Sequence, residues 1–176
     1  LGESVPLELR KDSAYSHLVV TFEQSEADAL KAFDTTRDPA RRTELCLSLV
    51  STLWIRGEFS RARKFAVEMS DPETRARLVR LIDFGEAARA VEAGRLEEAL
   101  ELTARLPRGL KRALLFLGMA TKQTERGDSR AAFDSLYWGQ KDAEFVDETL
   151  RPPLLVAVAK ALAAIAAPAA LAELGA

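Results

Sequence analysis

The sequence predicts an all-α solenoid of antiparallel helix pairs, and three observations predict it. A small arrangement recurs four times: Gln24 and Ala29, Gly57 and Ala62, Gly94 and Ala99, and Gly127 and Ala132 are each five residues apart. Successive pairs are separated by 33, 37 and 33 residues. A period in the thirties is that of helical repeats, whose single units cannot bury their apolar faces and must stack. Asp38-Pro39 and Asp71-Pro72 are also 33 residues apart, each followed at the same offset by an arginine, Arg42 and Arg75. An N-cap aspartate accepts from orphan amide N–H groups, and proline at the first helical position has no N–H to leave unsatisfied, so both pairs read as helix starts. Finally, apolar residues return at helical spacing through most of the chain.

The elements follow from these markers in order. Residues 1–11 carry Gly2, Pro6 and mixed charges without a period and read as an extended lead-in. Tyr15, Leu18, Val19 and Phe22 fit a helical stripe; Leu-Val-Val-Thr-Phe also suits a short strand, and the repeat phase favours the helix. Ser25 with Asp28 is a weak capping box ahead of a short helix bearing Ala29, Leu30 and Phe33, which completes a first unit over 12–37. The second unit, 38–71, has one helix from Ala40 to Arg56 with Leu45, Leu49 and Leu53 on its face, and a second from Phe59 to Met69. The third, 72–108, repeats this with Leu78, Leu81, Ile82, Ala88 and Val91 before Gly94, then Leu96, Ala99, Leu100, Leu102 and Leu106. The fourth, 109–146, starts at a degraded marker, Leu106-Pro107-Arg108-Gly109. It has Leu110, Leu114, Leu117, Ala120 and Thr124 before Gly127, then Ala131, Ala132 and Leu136, with an extension through Phe145. Asp147-Glu148-Thr149 supplies a last cap, and a terminal helix in 147–176 runs from Leu150 or Pro152 to Ala167, stopped by Pro168.

Glycine just past a helix end accepts the left-handed conformation that closes it and permits a turn of few residues. The alanine one turn into the next helix marks a close backbone approach, so Ala62, Ala99 and Ala132 should not tolerate bulk.

Composition excludes several classes. The 176 residues are 48% hydrophobic and 30% charged, ordinary for a folded domain. The 25 basic residues against 27 acidic ones give a net charge of -2, with no overall attraction to nucleic acid or an anionic membrane. Leu154 to Leu174 is the most apolar stretch, but it is mostly alanine and carries Lys160 and Pro168. It reads as a buried or self-associating helix and not as a membrane span. The chain begins with Leu1, which reads as a fragment or a processed form. A removed targeting segment leaves the compartment open, with the cytoplasm favoured.

No constellation nominates a catalytic residue, a metal site or a cofactor. His17 is the single histidine and has no ligand-forming neighbour in sequence; Cys46 is the single cysteine and reads as a small core residue. Glu97 and Glu98 read as solvated charge. Counted from their glycines, Lys64, Glu101 and Asp134 share one position and Arg61 and Glu98 another, so stacking would bring the basic set Arg61, Arg63 and Lys64 beside the acidic set Glu97, Glu98 and Glu101, which reads as pairing between repeats. Trp54, Phe84, Tyr137 and Trp138 are candidate binding aromatics. Only one of Tyr137 and Trp138 is expected to point inward, which makes Trp138 a candidate exposed ring.

The spacing glycine, four residues, alanine, with a further small or apolar residue four positions on (Ala66, Thr103, Leu136), resembles the tetratricopeptide repeat over roughly residues 12–145. The resemblance implies that the first helix of each unit faces a concave groove that takes an extended peptide or a helix of a partner. In this sequence that groove would be lined by Ser48, Ser51, Trp54, Leu81, Phe84, Ala88, Leu117, Thr121 and Thr124. The function expected is a non-enzymatic protein–protein interaction scaffold. The alternatives are a self-association module dimerising through the apolar residues 154–174, or an accessory domain of a larger protein.

Overall fold

The computed structural model describes residues 26–174, with side chains through Ala166, and among them there are helices and no strands. The lead-in, the helix expected over 12–24, His17 and the Gln24 marker lie outside the described residues. Eight helices follow one another: α1 (26–35), α2 (Pro39–Arg56), α3 (Phe59–Val67), α4 (Pro72–Glu92), α5 (Leu96–Ala104), α6 (Leu110–Glu125), α7 (Ser129–Ala143) and α8 (Arg151–Leu174). The chain divides into two compact units at Val79/Arg80, inside α4.

The glycine markers act as the spacing requires. Gly57, Gly94 and Gly127 have φ of 77°, 71° and 77°. Each closes its helix with the same pair of bonds: Gly57 N–H to Trp54 O at 3.0 Å with Glu58 N–H to Leu53 O at 2.8 Å, Gly94 to Val91 O at 2.9 Å with Arg95 to Ala90 O at 2.8 Å, and Gly127 to Thr124 O at 3.0 Å with Asp128 to Gln123 O at 2.9 Å. A side chain at that φ would be strained, so these three turns depend on glycine. Ala62, Ala99 and Ala132, one turn beyond, are fully buried.

The caps are where the Asp-Pro pairs place them. Asp38 accepts from Ala40 N and Arg41 N, both at 3.3 Å, and Asp71 accepts from Thr74 N at 2.7 Å. The bonds from Thr74 hold the Asp71 carboxyl below the ordinary aspartate value. Asp147 likewise accepts from Thr149 N at 2.9 Å in the turn before α8.

The arginines that follow the caps have a common job. Arg42 donates to Phe33 O at 3.0 Å, Arg75 to Met69 O at 2.9 and 2.7 Å, Arg112 to Leu106 O at 3.3 Å and Arg151 to Val146 O at 2.9 Å. In each case a cation near the start of one helix satisfies a carbonyl left at or just beyond the end of the preceding one, where the helix dipole favours positive charge.

In the first unit the core is Leu45, Cys46, Leu49, Val50 and Leu53 of α2 with Phe59, Ala62 and Ala66 of α3, closed by Phe33 and Met69. Phe33 meets Phe65 edge to face at 5.6 Å. In the second unit, Ala87, Ala90 and Val91 of α4, Ala99 and Leu102 of α5 and Leu115, Phe116 and Met119 of α6 form one cluster. Ala120, Ala132 and Leu136 meet Val158 and Ile165 of α8 in another.

Two expectations are corrected. The terminal helix does not stop at Pro168: α8 runs to Leu174. Proline removes one ladder N–H, and the alanines on both sides, the best helix formers, carry the helix through it. The helix after Gly127 ends at Ala143, short of Phe145.

Among the described residues, two buried side-chain polar atoms lack a partner, the Thr103 hydroxyl and Arg151 Nε. Thr103 of α5 is fully buried and its hydroxyl has no hydrogen-bond partner. Thr103→Val, which keeps the shape and removes the hydroxyl, is expected to stabilise the protein by about 1 kcal/mol. Urea denaturation followed by circular dichroism checks this; a loss of stability would mean that the hydroxyl has a partner.

Candidate functional site: an exposed aromatic face on α7

The sequence sets the orientation of α7 through its small and apolar positions. Ala132, Ser135, Leu136, Gly139, Asp142 and Ala143 are buried and recur at three and four residues, which fixes the inward stripe. Gly139 brings α7 close to α6: a Cβ there would lie 3.3 Å from Phe116 Cβ and 3.4 Å from Ala113 O. With the stripe so fixed, Phe133, Tyr137 and Trp138 face outward, 43%, 54% and 51% exposed. The expectation that one ring of the Tyr137-Trp138 pair points inward is therefore corrected. Positions 137 and 138 both fall off the stripe, and the rings meet each other edge to face at 5.4 Å with planes 74° apart.

The start of α7 lies near the start of α5. Arg95, Leu96, Glu97 and Glu98 at the start of α5 line a common cleft with Asp128 and Ala131 at the start of α7. Beyond the end of α5, Arg108 donates to Lys141 O of α7 at 2.8 Å. The starts of the two helices thus flank one cleft, and the turn after α5 meets the end of α7. Counted from Gly94 and Gly127, Leu100 and Phe133 share a register position, as do Glu101 with Asp134 and Ala104 with Tyr137, and all six are exposed.

The groove residues implied by the repeat stand as follows. In the first unit Ser48 and Ser51 are exposed and Trp54 is half-buried. In the second, Leu81, Thr121 and Thr124 are exposed, the two threonine hydroxyls donating to Leu117 O at 3.1 Å and Ala120 O at 2.8 Å. Phe84 and Ala88 are half-buried against the α4–α6 cluster, and Leu117 against the cluster that α8 covers. Phe133 was not singled out by the sequence. The signal that could have found it is its place opposite the stripe of Ala132, Leu136 and Gly139.

Groups that carry chemistry elsewhere are held in structural contacts. Asp142, 1% exposed, accepts from Arg108 Nε at 2.7 Å and Arg112 Nε at 2.8 Å. Glu26 is bound by Arg56 and, at 2.6 Å, by Arg61, which also pairs with Glu58. Arg61 and Glu98, expected to pair between repeats, thus have partners nearby: Glu98 meets Arg95 at 2.6 Å. Among the described residues no three His, Cys, Asp or Glu side chains come together as a metal-binding group, and no helix is long and apolar enough to cross a membrane.

Cys46 is buried, with its thiol 2.9 Å from Phe65 O. Burial first, then the nearby Glu68 carboxylate, push the thiol up to about 11 from the usual 9.0. The unfolded chain therefore ionises first as pH rises, and stability falls between pH 9 and 11. Denaturation series over that window should show a shallower fall for Cys46→Ala. At neutral pH an aromatic disulfide reagent should label Cys46 in urea and spare it in the native protein.

No protein-family model, no curated protein and no solved structure matches this chain.

Proposed function

We propose that this chain is a non-enzymatic interaction module, built as a solenoid of about four tetratricopeptide-like helix pairs, that docks a peptide or helix of a protein partner. The observation that carries this reading is the outward group Phe133, Tyr137 and Trp138, half-exposed rings on a helix whose other side is locked by Gly139. Large rings with two rotatable bonds, fixed on a rigid element, desolvate at low entropic cost and dominate binding energies where they occur. The identical closures at Gly57, Gly94 and Gly127 support the repeat reading. The groove of Ser48, Ser51, Trp54, Leu81, Phe84, Ala88, Leu117, Thr121 and Thr124 is the second surface that the repeat register offers.

Affinity capture compares the wild type with Tyr137→Ser/Trp138→Ser and with Ser48→Arg/Ser51→Arg, all checked for native circular dichroism. Loss of a partner in the first variant supports the α7 face, and loss in the second supports the groove. If folded forms of both variants retain every partner, neither surface is the docking site.

A second reading, self-association, rests on α8. Leu155 and Val156 are exposed, and Lys160 is the one charge between residues 152 and 166. Light scattering over a concentration series, with Val156→Glu as control, tests it; a strict monomer for the wild type removes it.

A further inference from the structure

We infer that a cavity in the first unit, between the end of α1, the start of α2 and the end of α3, binds a small apolar α-amino acid, its side chain inside and its ammonium and carboxylate groups at the mouth. The site belongs to the first unit, whereas α7 belongs to the second, and it does not rest on the interaction reading. The first argument is the cavity. It holds about 190 Å³, and Phe33, Cys46 and Met69, all buried, line it. An apolar cavity of about 150 Å³ takes a benzene molecule, so this volume suits a side chain the size of leucine or phenylalanine.

The second argument is that the same cavity is lined by opposite charges side by side. Arg42 Nη2 lies 3.4 Å from Glu68 Oε2, a long contact between side chains 38% and 53% exposed, and such a pair contributes little and can open around a ligand. Arg42 is held independently of Glu68: its Nη1 donates to Phe33 O at 3.0 Å, and its guanidinium lies 4.0 Å from the centroid of the Phe33 ring. A guanidinium has more N–H donors than these bonds use, so Arg42 can meet a carboxylate without leaving its place. Arg37, exposed and in no ion pair among the described residues, lines the cavity too. Asp34 and Asp38, the carboxylates nearest to Arg37 in sequence, do not line it, and Asp38 is bound to Ala40 N and Arg41 N. An α-amino acid carries its ammonium and carboxylate one carbon apart, and so sets a cation by Glu68 and an anion by Arg42 and Arg37 at once. A plain carboxylic acid would meet Glu68 uncompensated, and a plain amine would meet the arginines; the lining charges therefore select the zwitterion.

The two methionines report the test directly. Met69 lines the cavity, and Met119 packs in the second unit among Val91, Leu102 and Phe116. In protein labelled at the methionine methyl groups, L-leucine or L-phenylalanine is expected to move the Met69 resonance and leave that of Met119 in place. The expected Kd is about 1 mM, the scale for a ligand of about ten non-hydrogen atoms.

Three analogues divide the ligand into its parts: 4-methylpentanoate lacks the ammonium group, 3-methylbutylamine lacks the carboxylate, and glycine lacks the apolar body. The first two should bind about tenfold more weakly than leucine, and glycine should leave Met69 unmoved. Glu68→Gln should remove the advantage of leucine over 4-methylpentanoate, and Arg37→Gln should reduce its advantage over 3-methylbutylamine. Both side chains are exposed, so both variants keep the fold. Equal affinities for leucine and 4-methylpentanoate in the wild type, or leucine binding unchanged in Glu68→Gln, would overturn the amino-acid assignment. Movement of Met119 together with Met69, or of neither, would overturn the site itself. The interaction reading stands or falls separately on the capture experiment.

Discussion

Asp142→Ala is expected to destabilise the second unit by about 3 kcal/mol, at the lower end of the cost of breaking a buried ion pair. Each oxygen of this buried carboxylate is taken by a different arginine, and those arginines are bound to the backbone as well, Arg108 to Lys141 O at 2.8 Å and Arg112 to Leu106 O at 3.3 Å. One side chain on α7 thus ties down the α5–α6 turn. Without it, Arg112, whose side chain is 19% exposed, keeps a charge facing Phe116 with nothing opposite, whereas Arg108 at 42% can turn into water. That difference in exposure is why the lower end is expected. For a chain of this size the loss corresponds to a fall of about 6–12 °C in Tm, measurable by calorimetry or circular dichroism. Asp142→Leu combined with Arg112→Met should recover most of it, because no uncompensated charge then remains inside. A fall of under about 2 °C for Asp142→Ala would show that water reaches the site freely.

The network around Asp142 also marks the limit of what the sequence made legible. Helix starts and ends were readable because they depend on residues with local conformational consequences: Gly57, Gly94 and Gly127 for left-handed closures, and Asp38 and Asp71 for caps. The regular offset of Arg42 and Arg75 was visible as well, but its meaning was not. The carbonyls they satisfy, Phe33 O and Met69 O, become neighbours only when one helix turns back on the last. Asp142 looks in sequence like any charged residue near a helix end; its burial comes from the approach of α6 and α7 at Gly139. Pro168 misled for the opposite reason, since the local rule for proline is sound and the surrounding alanines outweigh it. The aromatic face was half legible. Tyr137 and Trp138 were flagged as candidates with one ring expected inward, because adjacent aromatics on a helix suggest an inward ring until the small residues opposite are seen to be the inward ones; Phe133 was not flagged.

Phe116 and Tyr137 provide the sharpest separation of packing from function, being aromatic residues on the paired helices α6 and α7 with opposite exposures. Phe116→Ala is expected to cost about 4 kcal/mol, within the range for truncating a buried aromatic. The ring is 4% exposed, sits in the cluster with Val91, Leu102 and Met119, and has the Arg112 guanidinium 5.7 Å from its centroid. The cavity has little means of closing. A Cβ at position 139 would already be 3.4 Å from Ala113 O, so the α6 and α7 backbones cannot move together to fill it. Tyr137→Ala removes a ring of similar size from the opposite side of the same helix pair, and should change stability by no more than about 0.5 kcal/mol, as surface substitutions do. Urea denaturation of both variants measures the contrast. A cost under about 1.5 kcal/mol for Phe116→Ala would mean that α6 and α7 can collapse together, which the Gly139 contact forbids. A similar cost for Tyr137→Ala would mean that its ring is part of the packing and is not available to a partner. If the contrast holds, any binding lost in Tyr137→Ala is lost at the surface. Phe116→Ala, studied at a temperature where it remains folded, should still bind, because its cavity lies behind the helix that presents the aromatic face.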